Sequence, residues 1–365
     1  MRKKHGKFIN LILLNGIQYL KIAWKEWKNI LIKVSICIPE YNAQNYIDRN
    51  LNSILNQTYP EIEIILYDDA ATDNTRARMF EFSQKYPNRV FSYYSDQNQG
   101  IGAAKNAALS HASGDYIFFC DCDDYMKENC IEELVREAER SNYPDIVIDG
   151  FTRVDSDGKL LYQRHYRNAQ EALQQSIPLF AKIFRRDFLM KNEISSPKGV
   201  ILEDVLYQAL IVSHMPSVAF IDNCGYIWVR NMTSASNTRL RGFSQDALKN
   251  SFEYLIATYD QLNARQRKIM IYYVMQFVSW HLLKSGVGVG CTAMIGEYHK
   301  AKTYLDQHFP EYRTIDYVSF LRPKGVRPVV RWCVFFLAIL IRFNWAPAFL
   351  AVYSKLNLSR LWPNL

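Results

Sequence analysis

Tyr116-Ile-Phe-Phe-Cys-Asp-Cys-Asp-Asp124 begins as an apolar run and ends in three carboxylates. An apolar run without alternation is typical of a strand buried in the middle of a sheet. Ligands of open α/β sheets bind beyond the carboxyl ends of such strands. We therefore predict that residues 117–120 form a central strand and that the aspartates after it belong to a binding site.

The carboxylates at this end favour a metal site. If extended geometry continues, Asp121 and Asp123 lie on one face with their Cβ atoms about 6.5 to 7 Å apart. Like charges at that distance repel each other unless a cation or hydrogen-bond donors compensate them. Oxygen ligands on a short turn suit Mg²⁺ or Mn²⁺. The alternative is that these aspartates, together with Asp124, only form a turn before the helix predicted near residues 128–140.

Before this stretch, strand patterns alternate with helix patterns along the chain. Residues 34–39, 62–67 and 90–94 read as strands, and each is followed by a helical segment. This alternation predicts a parallel, doubly wound α/β core. The carboxyl ends of parallel strands meet at one edge, and the following residues are expected there: Tyr41, Asp68, Asp69, Asp121, Asp123 and Asp124.

Acidic groups from two strand ends and an aromatic ring therefore converge on one crevice. Tyr41 can stack on a base, and a strand-end aspartate can accept a hydrogen bond from a base or a ribose. An aspartate that holds a metal can meet a diphosphate. The chain has no G-x-x-x-x-G-K-[ST] and no G-x-G-x-x-G after its first strand, which argues against a P-loop ATPase and a dinucleotide dehydrogenase. The pattern predicts a nucleotide-diphosphate site without a glycine-rich phosphate loop.

Composition and charge indicate which kinds of binding partner to expect. The chain has 365 residues, 49% of them hydrophobic, a net charge of +8 and a pI near 9.0. The basic residues concentrate in the first 33 and the last 45 residues, which favours an anionic membrane surface over nucleic acid. Seven cysteines, an odd number spread along the chain, predict no disulfide framework and a reducing cytoplasm.

Five blocks of the sequence, in order, resemble family 2 glycosyltransferases. That family has the GT-A fold, so the resemblance implies a doubly wound mixed sheet, here with an α-helical C-terminal extension. It is strongest over residues 33 to about 130. The blocks are Val34-Ser-Ile-Cys-Ile-Pro-Glu-Tyr-Asn42, Ser53-Ile-Leu-Asn-Gln-Thr-Tyr-Pro60, Glu63-Ile-Ile-Leu-Tyr-Asp-Asp69, Asn98-Gln-Gly100 with Lys105-Asn106, and Gly114-Asp-Tyr-Ile-Phe-Phe-Cys-Asp-Cys-Asp-Asp124.

The resemblance implies roles for individual residues. Tyr41 and Asp69 would hold the nucleotide base, Asp121 would face the nucleotide sugar, and Asp123 would bind a divalent cation, Mn²⁺ or Mg²⁺. Asp124 is left unassigned between support and a water-mediated metal contact. The full expected donor set is Pro39, Tyr41, Asp69, Lys105, Asp121 and Arg230, and the expected metal ligands are Asp123 and Asp121.

The segment Ile201-Leu-Glu-Asp-Val-Leu-Tyr207 resembles the family's Glu-Asp block. The resemblance implies that Asp204 is the general base and that Glu203 supports it or touches the acceptor. The alternative is that both acids only complement the dipole of the helix they begin. Near the acceptor, Trp228 or Tyr226 could form a sugar platform, and ordinary core packing of the two rings is an equal alternative.

Four positions depart from the family pattern. Ala70-Ala71 replaces the usual Gly-Ser, so a left-handed turn there would be strained or made differently. Lys105 stands where an arginine is common, which keeps the charge and loses bidentate geometry. Cys122 replaces a usual serine, and none of these changes removes a carboxylate.

The expected layout has four parts. They are a basic amphipathic segment (1–33), the GT-A domain (34–240), a helical extension (241–321) and a basic, apolar membrane-interface segment (322–365). The last part holds ten consecutive apolar residues, too few for a bilayer span of about 20. A helix lying in the headgroup region fits better, with a tilted or re-entrant span as the alternative.

The predicted function is inverting transfer of a sugar, most commonly in this family from a uridine diphosphate donor. The acceptor would be a hydroxyl of a glycan or lipid-linked molecule in surface polysaccharide synthesis, at the cytoplasmic face of the cell membrane. The alternatives are a polyprenyl-phosphate glycosyltransferase and a non-catalytic, membrane-bound sugar-nucleotide or scaffold protein.

Overall fold

The computed structural model describes residues 31–200, 202–231, 246–285, 289–313, 318–319 and 321–356. Residues 1–30 of the predicted basic N-terminal segment therefore lie outside the described part. The strands are β1 (Val34–Glu40), β2 (Ile62–Asp68), β3 (Val90–Tyr94), β4 (Tyr116–Phe119), β5 (Tyr125–Met126), β6 (Ile146–Ile148), β7 (Phe151–Val154), β8 (Leu160–Arg164), β9 (Lys182–Arg185), β10 (Val218–Phe220) and β11 (Tyr226–Val229).

Helices pack on these strands and make up the C-terminal part of the chain. They are α1 (Ile47–Leu55), α2 (Thr75–Lys85), α3 (Ile101–His111), α4 (Cys130–Arg140), α5 (Ala169–Gln175), α6 (Arg186–Lys191), α7 (Glu203–Ser213), α8 (Ala247–Gln261), α9 (Ala264–Trp280), α10 (Cys291–His308), α11 (Pro328–Arg342) and α12 (Ala346–Leu356).

The central sheet has seven strands in the order β10-β6-β9-β4-β1-β2-β3. The four strands predicted from the sequence, β1 to β4, are all parallel, as expected. β9 runs antiparallel between β4 and β6 and makes the sheet mixed. The predicted doubly wound mixed sheet with a helical C-terminal extension is confirmed.

β1 lies inside this sheet, between β4 and β2, and both of its faces contribute to apolar cores. Ile36 and Ile38 belong to the core on one face, whereas Cys37 belongs to the core on the other. In register, Glu40 pairs with Asp68 of β2, and Cys37 pairs with Phe119 of β4. The carboxyl ends of these three strands therefore meet at one edge, where open α/β sheets place their ligands.

A second sheet of four strands, β5-β11-β7-β8, adjoins this edge. β5 follows directly after the aspartates that end β4, and it pairs antiparallel with β11. β11 in turn pairs parallel with β7. This sheet was not anticipated from the sequence, and it carries the backbone that holds the aspartate turn in place.

The C-terminal helices share a hydrophobic core with α7. Leu206 and Ala209 of α7 belong to the same cluster as Met270 and Val274 of α9 and Leu337 of α11. α7 therefore joins the sheet to the extension. Among the described helices, none combines the length and the apolar character that crossing a bilayer requires.

Candidate active site

The chain turns sharply after β4 instead of continuing as a strand. The backbone N–H of Asp124 donates to the carbonyl of Asp121 across 3.2 Å, which closes a turn over Asp121, Cys122 and Asp123. The assumption of extended geometry was therefore wrong. Asp121 and Asp123 are presented by a turn, and their spacing is not that of alternate strand positions.

Asp124 is the buried anchor of this turn. Its side chain is fully buried, its Oδ2 accepts a hydrogen bond from the Tyr226 hydroxyl (2.6 Å), and its Oδ1 accepts one from the Val229 N–H (2.8 Å). Burial raises the pKa of Asp124 well above its usual range, and the charges of Asp121 and Asp123 raise it further. Both oxygens are engaged with β11, so Asp124 anchors the turn to that strand.

Two side chains of α1 hold the backbone of the same turn. The Asn50 amide donates to the carbonyl oxygens of Asp121 (3.1 Å) and Asp124 (3.0 Å). The Arg49 guanidinium donates to the carbonyl of Asp123 (2.6 Å). Neither residue was identified from the sequence. A signal existed for Asn50, since it is a fully buried polar residue on the apolar face of α1.

Lys105 links the aspartate turn to the start of α7. It lies on α3, its side chain is almost fully buried, and its Nζ donates to Asp204 Oδ1 across 3.2 Å. Burial alone would lower the pKa of Lys105, but the carboxylates of Asp204, Asp121 and Glu203 raise it well above its usual value. One buried ammonium therefore stands among three carboxylates from two distant segments.

The ionisation of Asp121 depends on the charges of this cluster. Burial raises the pKa of Asp121 to about 7; Lys105 opposes that rise, while Asp123, Asp204 and Glu203 add to it. Asp204 and Glu203 form the first turn of α7, where the helix dipole favours negative charge. The structure thus brings the two predicted acidic motifs into one electrostatic environment.

The same edge holds acids with little cationic compensation. Asp123 Oδ2 accepts a hydrogen bond from the Asn231 amide (2.9 Å). Glu40 is fully buried, and within the described residues its two carboxyl oxygens have no hydrogen-bond partner. Burial raises the pKa of Glu40 well above its usual range, and Asp68 and Asp123 add to that effect. A set of carboxyl oxygens at one edge fits the ligand preference of a divalent cation.

The expected base-binding residues occupy the ends of β1 and β2. Pro39 lies within β1, and the Tyr41 side chain that follows is 46% exposed, as a stacking surface requires. Asp69 is nearly buried, and its two oxygens accept hydrogen bonds from the N–H groups of Gln99 and Gly100, each at 2.8 Å. In this structure, the Asp69 carboxylate organises the loop that begins α3.

The turn after Asp69 adopts the left-handed geometry that its sequence does not favour. Ala70 has φ of +60°, and the Ala71 N–H donates to the Asp68 carboxylate at 2.9 Å. Asp68 also pairs with the Arg76 guanidinium at 2.7 Å. The left-handed turn is thus kept with alanine in place of glycine, at the steric cost expected for a Cβ.

Three of the expected site residues lie on or beside β11, and they differ in burial. Tyr226 is fully buried and stacks on Phe180 with 4.5 Å between ring centroids, so it offers no face to an acceptor, and the core-packing alternative holds for it. Trp228 is half-buried, and the Arg153 guanidinium lies 3.8 Å from its ring centroid. Arg230 is exposed at the end of the strand.

A second buried lysine was missed by sequence reasoning. Lys182 is 1% exposed on β9, and its Nζ donates to the Ser176 carbonyl at 2.5 Å. Burial lowers the pKa of Lys182 to about 7, and the charge of Asp204 acts against that decrease. A lysine inside an apolar segment of a central strand is the only signal that the sequence offered.

A comparison with known proteins finds a family that matches part of this chain. Residues 35–203 match the family described as glycosyl transferase family 2. The cholesterol galactosyltransferase of Borreliella burgdorferi is 25% identical over 283 residues, which cover 68% of this chain and 77% of that protein. The teichuronic acid biosynthesis glycosyltransferase TuaG of Bacillus subtilis, described as putative, is 37% identical over 107 residues, 29% of this chain and 41% of that protein.

The chain spans only a quarter of another relative, glycosyltransferase GlyA of Streptococcus pneumoniae. Among solved structures, residues 1–349 of Staphylococcus aureus TarS, crystallised with UDP-GlcNAc, superpose with a TM-score of 0.64 at 17% identity. The superposition covers 89% of this chain and 92% of that one, and at this identity it establishes a shared fold. Residues 35–203, a little under half of this chain, therefore match glycosyl transferase family 2.

Proposed function

We propose that this enzyme transfers a sugar from a nucleotide-diphosphate donor to an acceptor hydroxyl with inversion at the anomeric carbon. The observation that supports this most is the contact between Lys105 and Asp204, at 3.2 Å. It places the first carboxylates of α7 within the electrostatic reach of Asp121 on the aspartate turn. A displacement needs a base and leaving-group stabilisation around one carbon, and these two motifs provide both kinds of group.

The donor would lie along the carboxyl edge of β1, β2 and β4. Tyr41 is exposed and provides a surface on which a base can stack. Asp69 would hold the base together with Tyr41, and Lys105, Asp121 and the exposed Arg230 would contact the rest of the donor. A uridine diphosphate sugar is the first donor to test, because TarS, which shares the fold, was crystallised with UDP-GlcNAc.

Asp123 and Asp121 are the residues that would hold a divalent cation. The excess of acids at this edge, including the unpartnered carboxyl of Glu40 within the described residues, supports that assignment. When bound, such a cation supplies positive charge that offsets the negative charge of a leaving diphosphate. Asn231 and Arg49 would keep Asp123 oriented through its carboxylate and its carbonyl.

Asp204 would accept the proton of the acceptor hydroxyl as the new bond forms. General-base catalysis contributes roughly 10² to 10⁴ in rate. Lys105 would hold the Asp204 carboxylate in place through its hydrogen bond. Glu203, the neighbouring acid on the same helical turn, would support Asp204 or contact the acceptor.

Two amide substitutions on α7 test this assignment. Asp204→Asn should reduce transfer by at least about 10²-fold, because the proton acceptor is lost, and it should leave donor binding nearly unchanged. Glu203→Gln, one position away in the same helical turn, should lower the rate less than Asp204→Asn, because Glu203 is assigned a supporting role and not the proton acceptor. Equal transfer rates in Asp204→Asn and the parent enzyme would refute the base assignment.

A donor panel tests the other half of the site. Thermal shift should be measured with uridine, guanosine and thymidine diphosphate sugars, each with and without Mn²⁺. We expect one nucleotide to stabilise the protein more with Mn²⁺ than without it, and Asp123→Asn should remove that difference. A donor shift that does not depend on Mn²⁺ in the parent protein would contradict the metal assignment.

The acceptor side of the proposal rests on an exposed apolar face of α11. Val329, Trp332 and Phe336 are 56%, 57% and 50% exposed, and their spacing places them on one side of the helix. Phe343 and Trp345 continue this face beyond the helix end, at 56% and 63%. We call these five residues the α11 face.

The charges near the α11 face suit an anionic membrane. Residues 322–365 contain lysines and arginines but no aspartate or glutamate, and Arg342 is exposed at the end of the helix. Tryptophans with flanking basic residues are typical of helices in the headgroup region. We infer peripheral binding to the inner face of the cell membrane, where a glycan or lipid-linked acceptor of surface polysaccharide synthesis would be met. Two relatives, named for teichuronic acid and for cholesterol, are consistent with such acceptors.

Point variants test the α11 face better than truncation, because removing α11 would expose the core around Val334 and Leu337. The double variant Trp332→Ser, Phe336→Ser should lose co-sedimentation with phosphatidylserine vesicles. Phe80→Ser is the matched control, since Phe80 on α2 is equally exposed at 57%. If the double variant and the control sediment alike, this face does not bind the membrane.

A further inference from the structure

We propose that His165, Asp222 and Cys224 form a transition-metal site, of the type that binds zinc, which is separate from the donor site. His165 Nδ1 lies 2.6 Å from Asp222 Oδ1. Cys224 Sγ lies 3.7 Å from His165 Nδ1 and 3.8 Å from Asp222 Oδ1. Among the described residues, this is the group of acid, histidine and cysteine side chains close enough to share one ion.

The sulfur distances match tetrahedral zinc geometry. Zinc bonds of about 2.3 Å to sulfur and 2.0 to 2.1 Å to nitrogen or oxygen place sulfur about 3.5 to 3.6 Å from the other ligands. The two observed sulfur distances lie within about 0.3 Å of that range. For both side chains to bind one zinc ion, the distance between His165 Nδ1 and Asp222 Oδ1 must increase by about 0.7 Å. Both of those side chains are about half exposed, so a small rotation is open to them.

The loop that carries Cys224 is held rigidly by a buried carboxylate. Asp149 is fully buried, and it accepts hydrogen bonds from the N–H groups of Asn223 (2.8 Å), Cys224 (3.0 Å) and Gly225 (2.8 Å). Cys224 itself has φ of +50°, a conformation uncommon for a residue with a Cβ. The surrounding loop thus fixes the direction of the thiol before any ion binds.

Gly150 leaves the space that lets the three ligands meet. A Cβ at this position would lie 2.3 Å from the Arg164 carbonyl oxygen, 2.8 Å from Cys224 Sγ and 3.3 Å from Asp222 Oδ1. Any other residue would therefore push apart the end of β8, which leads to His165, and the loop before β11. The close approach of these two segments depends on glycine.

The three ligand atoms indicate which kind of metal ion would bind. One sulfur, one imidazole nitrogen and one carboxylate oxygen suit Zn²⁺ and related transition metals, whereas Mg²⁺ and Mn²⁺ prefer oxygen ligands. The exposed side of the cluster leaves a fourth position for water. The simpler alternative is a hydrogen bond between His165 and Asp222 beside a thiol that donates to the Arg164 carbonyl at 3.5 Å and binds no metal. Only the metal site requires a bond from the ion to Cys224 Sγ.

An ion here would brace the start of β11. Cys224 precedes β11 by two residues, and the same strand supplies Tyr226 and Val229, which hold Asp124 below the donor site. A bound ion would join the end of β8 to this strand at a second point. We expect zinc to raise the unfolding temperature of the full-length protein without a donor present.

Cobalt absorption tests the site directly. Co²⁺ titrated into the full-length, metal-stripped protein should produce a thiolate-to-cobalt charge-transfer band. That band should be lost in Cys224→Ser and weakened in His165→Gln, an exposed position where folding is not at risk. Cys291→Ser is the control, because Cys291 is a partly exposed cysteine outside the proposed site, and this variant should keep the band.

One further variant excludes the donor site as the source of the signal. Cys122 lies within the aspartate turn, and a cobalt ion held by Asp121 and Asp123 could contact its sulfur. If the band comes from Cys224, as proposed, Cys122→Ser should keep it. The proposal is overturned if the parent protein shows no such band, if Cys224→Ser retains it, or if Cys122→Ser abolishes it.

A competition measurement with a chromogenic chelator gives an independent readout. The parent protein should take up one more zinc ion than either Cys224→Ser or His165→Gln. Equal zinc stoichiometry in the parent and both variants would also overturn the proposal.

Discussion

Removing the hydroxyl of Tyr226 should weaken the aspartate turn and the protein as a whole. This hydroxyl donates to Asp124 Oδ2 at 2.6 Å and accepts from the Asp121 N–H at 3.1 Å. The ring is fully buried and stacks on Phe180, so Tyr226→Phe keeps the packing and deletes both bonds. The substitution therefore isolates what the hydroxyl contributes.

The expected loss follows from the two bonds. A hydrogen bond to a carboxyl group contributes about 1 to 3 kcal/mol, and a buried N–H left without a partner costs about 1 to 3 kcal/mol. Because the two bonds share one oxygen, they are not independent, and we expect Tyr226→Phe to lower the free energy of unfolding by about 2 to 4 kcal/mol. The apparent affinity for Mn²⁺ should fall as well, since the Asp121 backbone loses a support.

Tyr207→Phe is the matched control for this measurement. Tyr207 is equally buried, and within the described residues its hydroxyl has no hydrogen-bond partner. Its loss should change the unfolding free energy by less than about 1 kcal/mol, or raise it. Urea unfolding followed by tryptophan fluorescence compares the two variants with the parent. If Tyr226→Phe is no less stable than Tyr207→Phe, the hydroxyl of Tyr226 does not support the turn.

Three further variants test local effects. Ala70→Gly should be more stable to urea than Ala71→Gly by about 1 kcal/mol, because only position 70 has a positive φ; equal stabilities would argue against strain there. Lys105→Gln should move the acid limb of the rate–pH profile to higher pH, because the ammonium lowers the pKa of Asp121, which is about 7, and its loss should raise that pKa; Lys105→Arg should move the limb less. Glu63→Gln should lower the unfolding temperature at neutral pH. Burial would raise the pKa of Glu63, but hydrogen bonds from a lysine and two serines lower it. The difference in unfolding temperature between Glu63→Gln and the parent should therefore disappear as pH falls through that lowered pKa. A difference that stays constant with pH would refute this expectation.

The sequence located the strands and the acids well because both depend on local patterns. The predicted strand at residues 90–94 coincides with β3, and the strand placed at 117–120 differs from β4 by one residue at each end. Unbroken apolar runs bounded by turns identify buried strands, and parallel strands bring their ends together. Prediction failed for the spacing of Asp121 and Asp123, because no local pattern shows where a strand gives way to a turn.

Residues that act through distant partners could not be found in this way. Asn50 reaches the aspartate turn from α1, more than 70 positions earlier, and Lys182 faces a carbonyl of the segment before its own strand. Tyr226 illustrates the same limit, because an aromatic residue in a strand suits a sugar platform and a buried hydrogen-bond donor equally well. Burial decides between these, and burial is set by what packs on the residue.

By itself, the sequence determined the parallel part of the sheet, the edge at which the site lies and the chemical types of group found there. These follow from hydrophobic period, turn residues and strand order, which act over short stretches of chain. Only the tertiary structure decided which carboxylates pair with which partners. It buried Asp124 under β11 and brought Lys105 to Asp204, because such contacts join segments about 100 residues apart and depend on how the two sheets and α7 pack together.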